Sequence, residues 1–338
     1  MQRFYCCNCH KSFTKAFFSK RKRSSYATLS DAVKRVIEDR VSYRHVAKRI
    51  GVSAPAVLNW VNQFGQNAKT PIEIAQEPHP QWSGILGVDG KAVKVSGSEA
   101  VVLVAVDMGT NDPFFFQLAE AESEEEAEKF FLIIKEIFNY PVTAVVSDLG
   151  KGRVFVNLVD QIFPGVPHQA CVTHFSGYVD MKLPKSKKSR YYKQNEFFRS
   201  YIKNILFATN FNDADELLLR LRHIEHLFEA KHHREIIRLR RNFNLLTAHF
   251  FHPELPRDTN VVENIIKELD RKLVQMCGFK NPQNAYNFLK LWFCAYRFRP
   301  FTGSKYSHRN GRSPLSLAMV ETSRFDWLKF SQTKNRSG

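Results

Sequence analysis

Nowhere does this chain come near the roughly 20 consecutive apolar residues that a membrane-spanning helix needs. Its opening, Met1-Gln2-Arg3-Phe4-Tyr5-Cys6-Cys7, lacks the apolar core of a secretion signal. Cysteine is scarce, and three of the six crowd into positions 6, 7 and 9, which is no disulfide framework. These absences argue against a membrane protein or a stapled secreted domain, and the expectation is an intracellular, cytoplasmic chain working at the nucleoid. Acidic residues are also short. Against 50 Lys and Arg stand 33 Asp and Glu, a formal charge of +17 over 338 residues. Such an excess points to a polyanionic partner, most simply nucleic acid. The imbalance is steepest in residues 1–50, with thirteen basic side chains to three acidic ones. With 43% hydrophobic residues the chain still has the makings of a real core.

The N-terminal segment, residues 1–20, carries Cys6 and Cys9 in C-x-x-C spacing. Tetrahedral zinc wants four ligands, and no second pair lies nearby. The segment reads as the second half of a zinc ribbon, with the first half absent from this chain. Cys7 and His10 are poorly spaced substitutes. Lys20-Arg21-Lys22-Arg23 follows as a basic arm, with Arg21 and Arg23 placed for phosphates. Residues 21–70 then turn helical. Leu29, Ala32, Val33, Val36 and Ile37 form one stripe. Val46, Ala47 and Ile50 make a short helix, Gly51 gives the turn, and Ser53 caps the next helix with Pro55 in its first turn. Val57, Leu58 and Val61 face inward. This is a helix-turn-helix pattern whose recognition helix starts near Ser53 and presents Ser53 and Asn59 to DNA. Residues 71–80, with three prolines in the surrounding stretch, read as a linker.

After the linker the period changes from helical to strand-like. Ile85-Leu86-Gly87-Val88-Asp89-Gly90-Lys91-Ala92-Val93-Lys94-Val95 is an apolar strand holding one carboxylate, an expensive group to remove from water without a partner or a metal. A second run of the same design, Thr143-Ala144-Val145-Val146-Ser147-Asp148, also ends in Asp and is followed by Gly150. Taken alone, Asp89-Gly90 reads as a turn; two acids at the ends of two apolar strands make a pair able to share divalent cations. Strands at 101–110 and 113–119 suggest an antiparallel meander with the first. An acidic helix over 123–139 opens on a Ser123/Glu126 capping box. A helix at 153–163 and a strand at 167–173 follow. The order β-β-β-α-β-α-β is the ribonuclease-H arrangement, a mixed α/β sheet in which the first and fourth strands lie side by side. It would bring Asp89 and Asp148 together. His168, Cys171 and His174 near the last strand offer half a metal site or, more simply, a packed Cys beside a hydrogen-bonded His.

Residues 180–255 are basic and helical, with Leu217, Leu218, Leu221, Ile224 and Leu227 as a core stripe. Lys231, Arg234, Arg238, Arg240 and Arg241 give dense positive charge suited to DNA phosphates. The final helix begins at Asp258 or Thr259 and sets Glu263, Lys267 and Arg271 at i, i+4 and i+8. By itself that is a surface ion-pair ladder. Glu268 and Asp270 fall elsewhere around the helix.

Together these segments resemble the DDE transposases of prokaryotic insertion sequences, specifically the Mutator-like group. The resemblance rests on Gly87-Val88-Asp89-Gly90, Val146-Ser147-Asp148, Cys171-Val172-Thr173-His174 and Thr259-Asn260-Val261-Val262-Glu263-Asn264 with Lys267 and Arg271. A helical insertion lies between the second Asp and the Glu, and Asn310-Gly311-Arg312-Ser313-Pro314-Leu315 resembles a closing motif of such enzymes. The resemblance implies an RNase H-like catalytic domain over 81–320, interrupted by the helical insertion and followed by a tail at 321–338. It implies Asp89, Asp148 and Glu263 as catalytic ligands of two Mg²⁺ ions, with Mn²⁺ as substitute, and Lys267 and Arg271 on phosphates. Terminal inverted repeats and target DNA would be the partners, in a homodimer or larger assembly. The departure is the half ribbon, where zinc at Cys6 and Cys9 would lack two ligands. Two other readings fit the residues: a transposase-derived DNA-binding protein without activity, and an RNase H-like nuclease without strand transfer.

Overall fold

The computed structural model describes residues 3–10, 12–14, 24–121, 123–149, 153–183 and 185–333. Arg21 and Arg23 lie outside them. At the N-terminus β1 (Arg3–Tyr5) and β2 (Ser12–Thr14) pair antiparallel as a small hairpin. Three helices follow, α1 (Tyr26–Glu38), α2 (Tyr43–Ile50) and α3 (Ala54–Gln66), each opened by a serine whose hydroxyl accepts an amide of its first turn: Ser25, Ser42 and Ser53. Gly51 takes the left-handed conformation that ends α2, at φ 73°. Val57 and Val61 are fully buried, and Leu58 is half-buried.

The stretch read as a linker holds a helix, α4 (Pro71–Gln76), with a complete capping box between Thr70 and Glu73. The sheet comes next: β3 (Ile85–Val95), β4 (Ser98–Asp107), β5 (Asp112–Ala119), then α5 (Glu124–Leu132), which runs on through a π-helical turn at Ile133–Ile137. Ser123 caps α5, but the Glu126 carboxylate takes hydrogen bonds from Gln117 and Lys129, so the reciprocal half of the expected capping box is not made. β6 (Ala144–Ser147), α6 (Val154–Ile162), β7 (His168–Ala170) and α7 (Val172–Lys182) complete the mixed core. Sheet order is β5-β4-β3-β6-β7, with β3, β4 and β5 antiparallel and β6 and β7 parallel to β3. This is the RNase H-like topology that the strand order predicts.

Two-residue alternation distributes the sheet between two cores. On β4, Val102, Val104 and Val106 join one core; Leu103 and Ala105 join the other, beneath α5 and α6. A third core holds α8 (Tyr192–Leu206), α9 (Phe211–Ile224) and α10 (Ala230–Leu246), the expected helical insertion. Leu218 and Leu221 are buried there, but Leu227 is 62% exposed, because the chain has left helix α9 for a 3₁₀ turn. α11 (Asn260–Met276) is not the final helix. α12 (Pro282–Phe298), α13 (Pro314–Leu317) and α14 (Trp327–Ser331) follow, and the C-terminal stretch read as a tail buries Trp327 and Leu328.

α12 binds the helix-turn-helix to the sheet. α1–α3, α11, α12 and one sheet face form a single continuous core. Gly65 permits the approach: a Cβ there would lie 2.6 Å from both Cβ and the carbonyl oxygen of Asn287. Gly65→Ala is therefore expected to lower stability by about 1–3 kcal/mol through overpacking. Thermal unfolding reads this, and faster hydrogen exchange in α1–α3 locates it.

Candidate active site

The strand register brings two carboxylates together. Parallel pairing runs from Ile85↔Ala144 to Val88↔Ser147, so Asp89 and Asp148 occupy the next matched positions. Asp89 is not at a strand end. β3 continues antiparallel to β4 beyond it, with Asp89 opposite Val104, and only the parallel pairing with β6 stops there. Alternation puts Asp89 on the face of Gly87, whose Cα side lies against Val262 of α11; a Cβ on Gly87 would sit 2.7 Å from that valine. The missing side chain lets α11 close on the sheet, and Glu263 is the next residue of that helix.

Asp89 feels the other two acids. Burial, then the charge of Asp148, pushes the Asp89 carboxyl up to about 7; Glu263 adds to the effect and His174 opposes it. One Glu263 oxygen, Oε1, is buried with no hydrogen-bond partner. Its other oxygen takes the Lys267 ammonium at 3.1 Å. Lys267 is exposed, so this contact is replaceable. Arg271 pairs with Glu268 rather than Glu263, and Glu268 also meets Arg40 and Arg299. Asp270 pairs with Lys91.

The Cys171-x-x-His174 spacing turns out to be a helix start. The expected strand over 167–173 ends at Ala170, and Cys171 is the N-cap of α7. Its buried sulfur accepts from the amides of His174 and Thr259 and from the Thr259 hydroxyl, at 3.3–3.4 Å. Of the two residues read as able to cap α11, Thr259 makes no side-chain cap, and Asp258 accepts the Asn260 amide. The Thr259 hydroxyl reaches His174 Nδ1 at 3.3 Å, leaving Nε2 3.7 Å from Glu263 Oε1. Cys171, His174 and Glu263 thus converge, the one group of three such side chains among the described residues whose ligand atoms all lie within 4.8 Å of one another; Asp89 and Asp148 stand outside that group. Cys171, with its sulfur already engaged by three donors, ties two helices together. Its hydrogen bond, then the charges of Asp89 and Glu263, drives the His174 imidazole up to about 9. His168 stands apart, buried against the Ser147 hydroxyl at 2.9 Å and kept neutral by burial.

Two further aspartates at strand ends carry no signal in the sequence that separates them from these. Asp107 is fully buried and accepts from Ser83, Gly84, Thr110 and Tyr140. Asp112 is fully buried on Arg297. Saturated carboxylates have no coordination capacity left, which marks both as structural.

Elsewhere, Ser53 is exposed but its hydroxyl caps α3, and Asn59 is exposed on the same helix. Neither lies at the acidic cluster. Cys6 and Cys9 adjoin; the Cys9 amide and thiol hold the Cys6 thiol below its usual range. Among the described residues, no third His, Cys, Asp or Glu completes a metal-sized group with them.

The raised Asp89 carboxyl carries a stability consequence. Its folded value of about 7 lies above the ordinary 3.8, so folding is unpenalised below pH 4 and loses stability as pH rises to 7. The His174 imidazolium offsets part of this. Without metal, Asp89→Asn is therefore expected to be about 2 kcal/mol more stable than wild type at pH 8 and no more stable at pH 4. Thermal melts at the two pH values check it, and equal melts at pH 8 would count against a crowded acid cluster.

An RNase H-like sheet with two carboxylates side by side where its central parallel pairing stops defines the structural class of this protein. The particular family follows from comparison: residues 83–296 match the model for Transposase, Mutator family, and the chain belongs to that family of insertion-sequence transposases. Over 181 residues it is 27% identical to the transposase for insertion sequence element IS256 in transposon Tn4001 of Staphylococcus aureus, and equally to that of Enterococcus faecalis. The match takes in 52% of this chain and 44% of each relative, so less than half of the relatives' length is represented. Among the described residues no helix is long and apolar enough to cross a membrane.

Proposed function

We propose that this transposase cuts and joins DNA at Asp89, Asp148 and Glu263. The observation that carries the reading is the β3–β6 register, which sets Asp89 beside Asp148 on the face covered by Glu263's helix. The residues suit divalent cations: the donors are hard carboxylate oxygens, one of them buried without a hydrogen bond, and burial, then the charge of Asp148, has raised Asp89. Asp89, Asp148 and Glu263 would hold Mg²⁺, with Mn²⁺ as substitute; when bound, two such ions polarise phosphate oxygens and activate water or a 3′-hydroxyl for in-line displacement.

The protein's own groups do the rest. Glu263 is oriented by His174, which Thr259 in turn fixes. Lys267, released from Glu263, moves to a phosphate next to the scissile bond, and Arg271 lies one turn further along the same groove. That groove holds about 1010 Å³ and includes Asn260, Asn264, Arg299 and Arg309. The helical unit over 21–70 would read terminal inverted repeats through α3, with Arg44, Lys48 and Arg49 exposed on α2. Arg21 and Arg23 would precede it as an arm. Residues 81–320 would form the catalytic unit, and the helices within 180–255 would hold flanking or target DNA. Two ends must be joined at once, so a dimer or larger assembly is the working form. A strand-nicking assay on DNA carrying the element ends tests this: cleavage and joining in Mg²⁺, lost in chelator, is the expected result. Binding without nicking would leave a DNA-binding protein, and nicking without joining a nuclease.

A further inference from the structure

α10 sets Arg234, Arg238 and Arg241 on one face, at i, i+4 and i+7. Across a cavity of about 310 Å³ they face Leu149 and Arg153. Among the described residues none of these four arginines reaches a carboxylate within ion-pair distance, whereas Arg240 on the same helix pairs with Glu225 and Arg220 with Glu216. Asp160 and Glu235 act on Arg153 and Arg238 only from further away. Arg153 is unusual three times over. Its Nε is buried with no hydrogen-bond partner, its backbone is left-handed at φ 67°, and it stands at the N-cap of α6. Burial and the charge of Arg241 both work against its cationic form. Arg238 is fixed by stacking on Tyr178, 3.6 Å from the ring centroid. Ile237 sits between Arg234 and Arg241 and is 63% exposed, an odd place for an apolar side chain.

Clustered guanidinium groups with no carboxylate within ion-pair distance attract an anion, and planar arginine forks suit phosphate. We propose that this pocket binds one backbone phosphate of DNA, with Ile237 against the adjoining deoxyribose. The apolar side chain distinguishes a nucleic-acid strand from a free inorganic anion, which has nothing to place there. The pocket begins at Leu149, one residue past Asp148, and has no residue in common with the groove along α11. A strand crossing the acidic cluster therefore meets the groove through Glu263's helix and the pocket beside Leu149. The inference rests on the catalytic reading only for this placement, not for the binding itself.

The test uses the full chain in chelator, so that cleavage plays no part, and a fluorescent random-sequence duplex of about 30 base pairs. Affinity is measured against salt for wild type, Arg234→Ala, Arg241→Ala, Arg153→Ala and Arg241→Lys, with Arg220→Ala as the paired-arginine control. Arg234 and Arg241 are exposed, so their truncation spares the core. The pocket variants are expected to bind about 5–30-fold more weakly at 0.1 M salt and to lower the salt slope by about 0.9 each, with Arg241→Lys recovering part. An unchanged slope in all three alanine variants, or an equal loss in Arg220→Ala, overturns the proposal. So does stabilisation by inorganic pyrophosphate that Arg241→Ala abolishes while duplex binding stays intact. Pocket binding in a chain that never cuts DNA would keep this inference and remove the catalytic one.

Discussion

Asp148→Asn is expected to reduce strand cleavage in Mg²⁺ by about 10³-fold or more, roughly 4 kcal/mol of transition-state stabilisation. The amide keeps the shape of the side chain but loses the negative charge that a dication requires. DNA affinity should be unchanged or slightly higher, since one like charge beside the phosphate backbone is gone. Glu263→Gln should behave alike, because Oε1 makes no hydrogen bond and the Lys267 contact to the other oxygen is exposed and replaceable. The pairing of lost cleavage with kept binding separates a catalytic role from a folding defect. Unchanged nicking in Asp148→Asn would remove that residue from the mechanism, and a parallel loss of binding and melting temperature would make it structural.

The second large effect concerns Asp112 and Arg297. Arg297 is the largest fully buried side chain among the described residues, and its guanidinium grips both Asp112 oxygens at 2.6 and 2.7 Å. It also donates to the carbonyls of Ile74 and Ala75 in α4, while Trp82 donates to Asp112. One ion pair thereby joins β5, α12, α4 and the approach to β3. Asp112→Ala leaves a buried cation without its counter-charge and is expected to cost about 3–5 kcal/mol, a fall of about 10 °C in melting temperature. Replacing both partners, Asp112→Leu with Arg297→Met, should recover much of that loss, because neither charge is then left behind. A double-mutant cycle measures it. If Asp112→Ala melts within 2 °C or so of wild type, the pair is not the lock described.

These cases show what the residues disclose and what they hide. Strand order was readable because alternation and turn chemistry are local, and the helix-turn-helix because serine caps and Gly51 act within a few positions. Asp89 and Asp148 were readable as a pair because each ends an apolar run at the same point of a parallel register. Asp107 and Asp112 have much the same local setting, and only their distant partners, Tyr140 and Arg297, make them structural. The capping box at Glu126 was misjudged because a side chain with a local option took a partner from another element, Gln117 of β5, and Thr259 likewise turned to Cys171 and His174 and left Asp258 to accept the Asn260 amide.

By itself, then, the sequence determined the period of each segment, the basic balance and the order of the elements, since these depend on neighbours within a turn or a strand. Tertiary structure alone decided that Glu263 acts on Asp89, that Cys171 joins two helices, and that four arginines share a cavity lined by no acid. Those outcomes depend on desolvation and on partners far away in the chain, and a side chain's charge acts according to what folding places beside it.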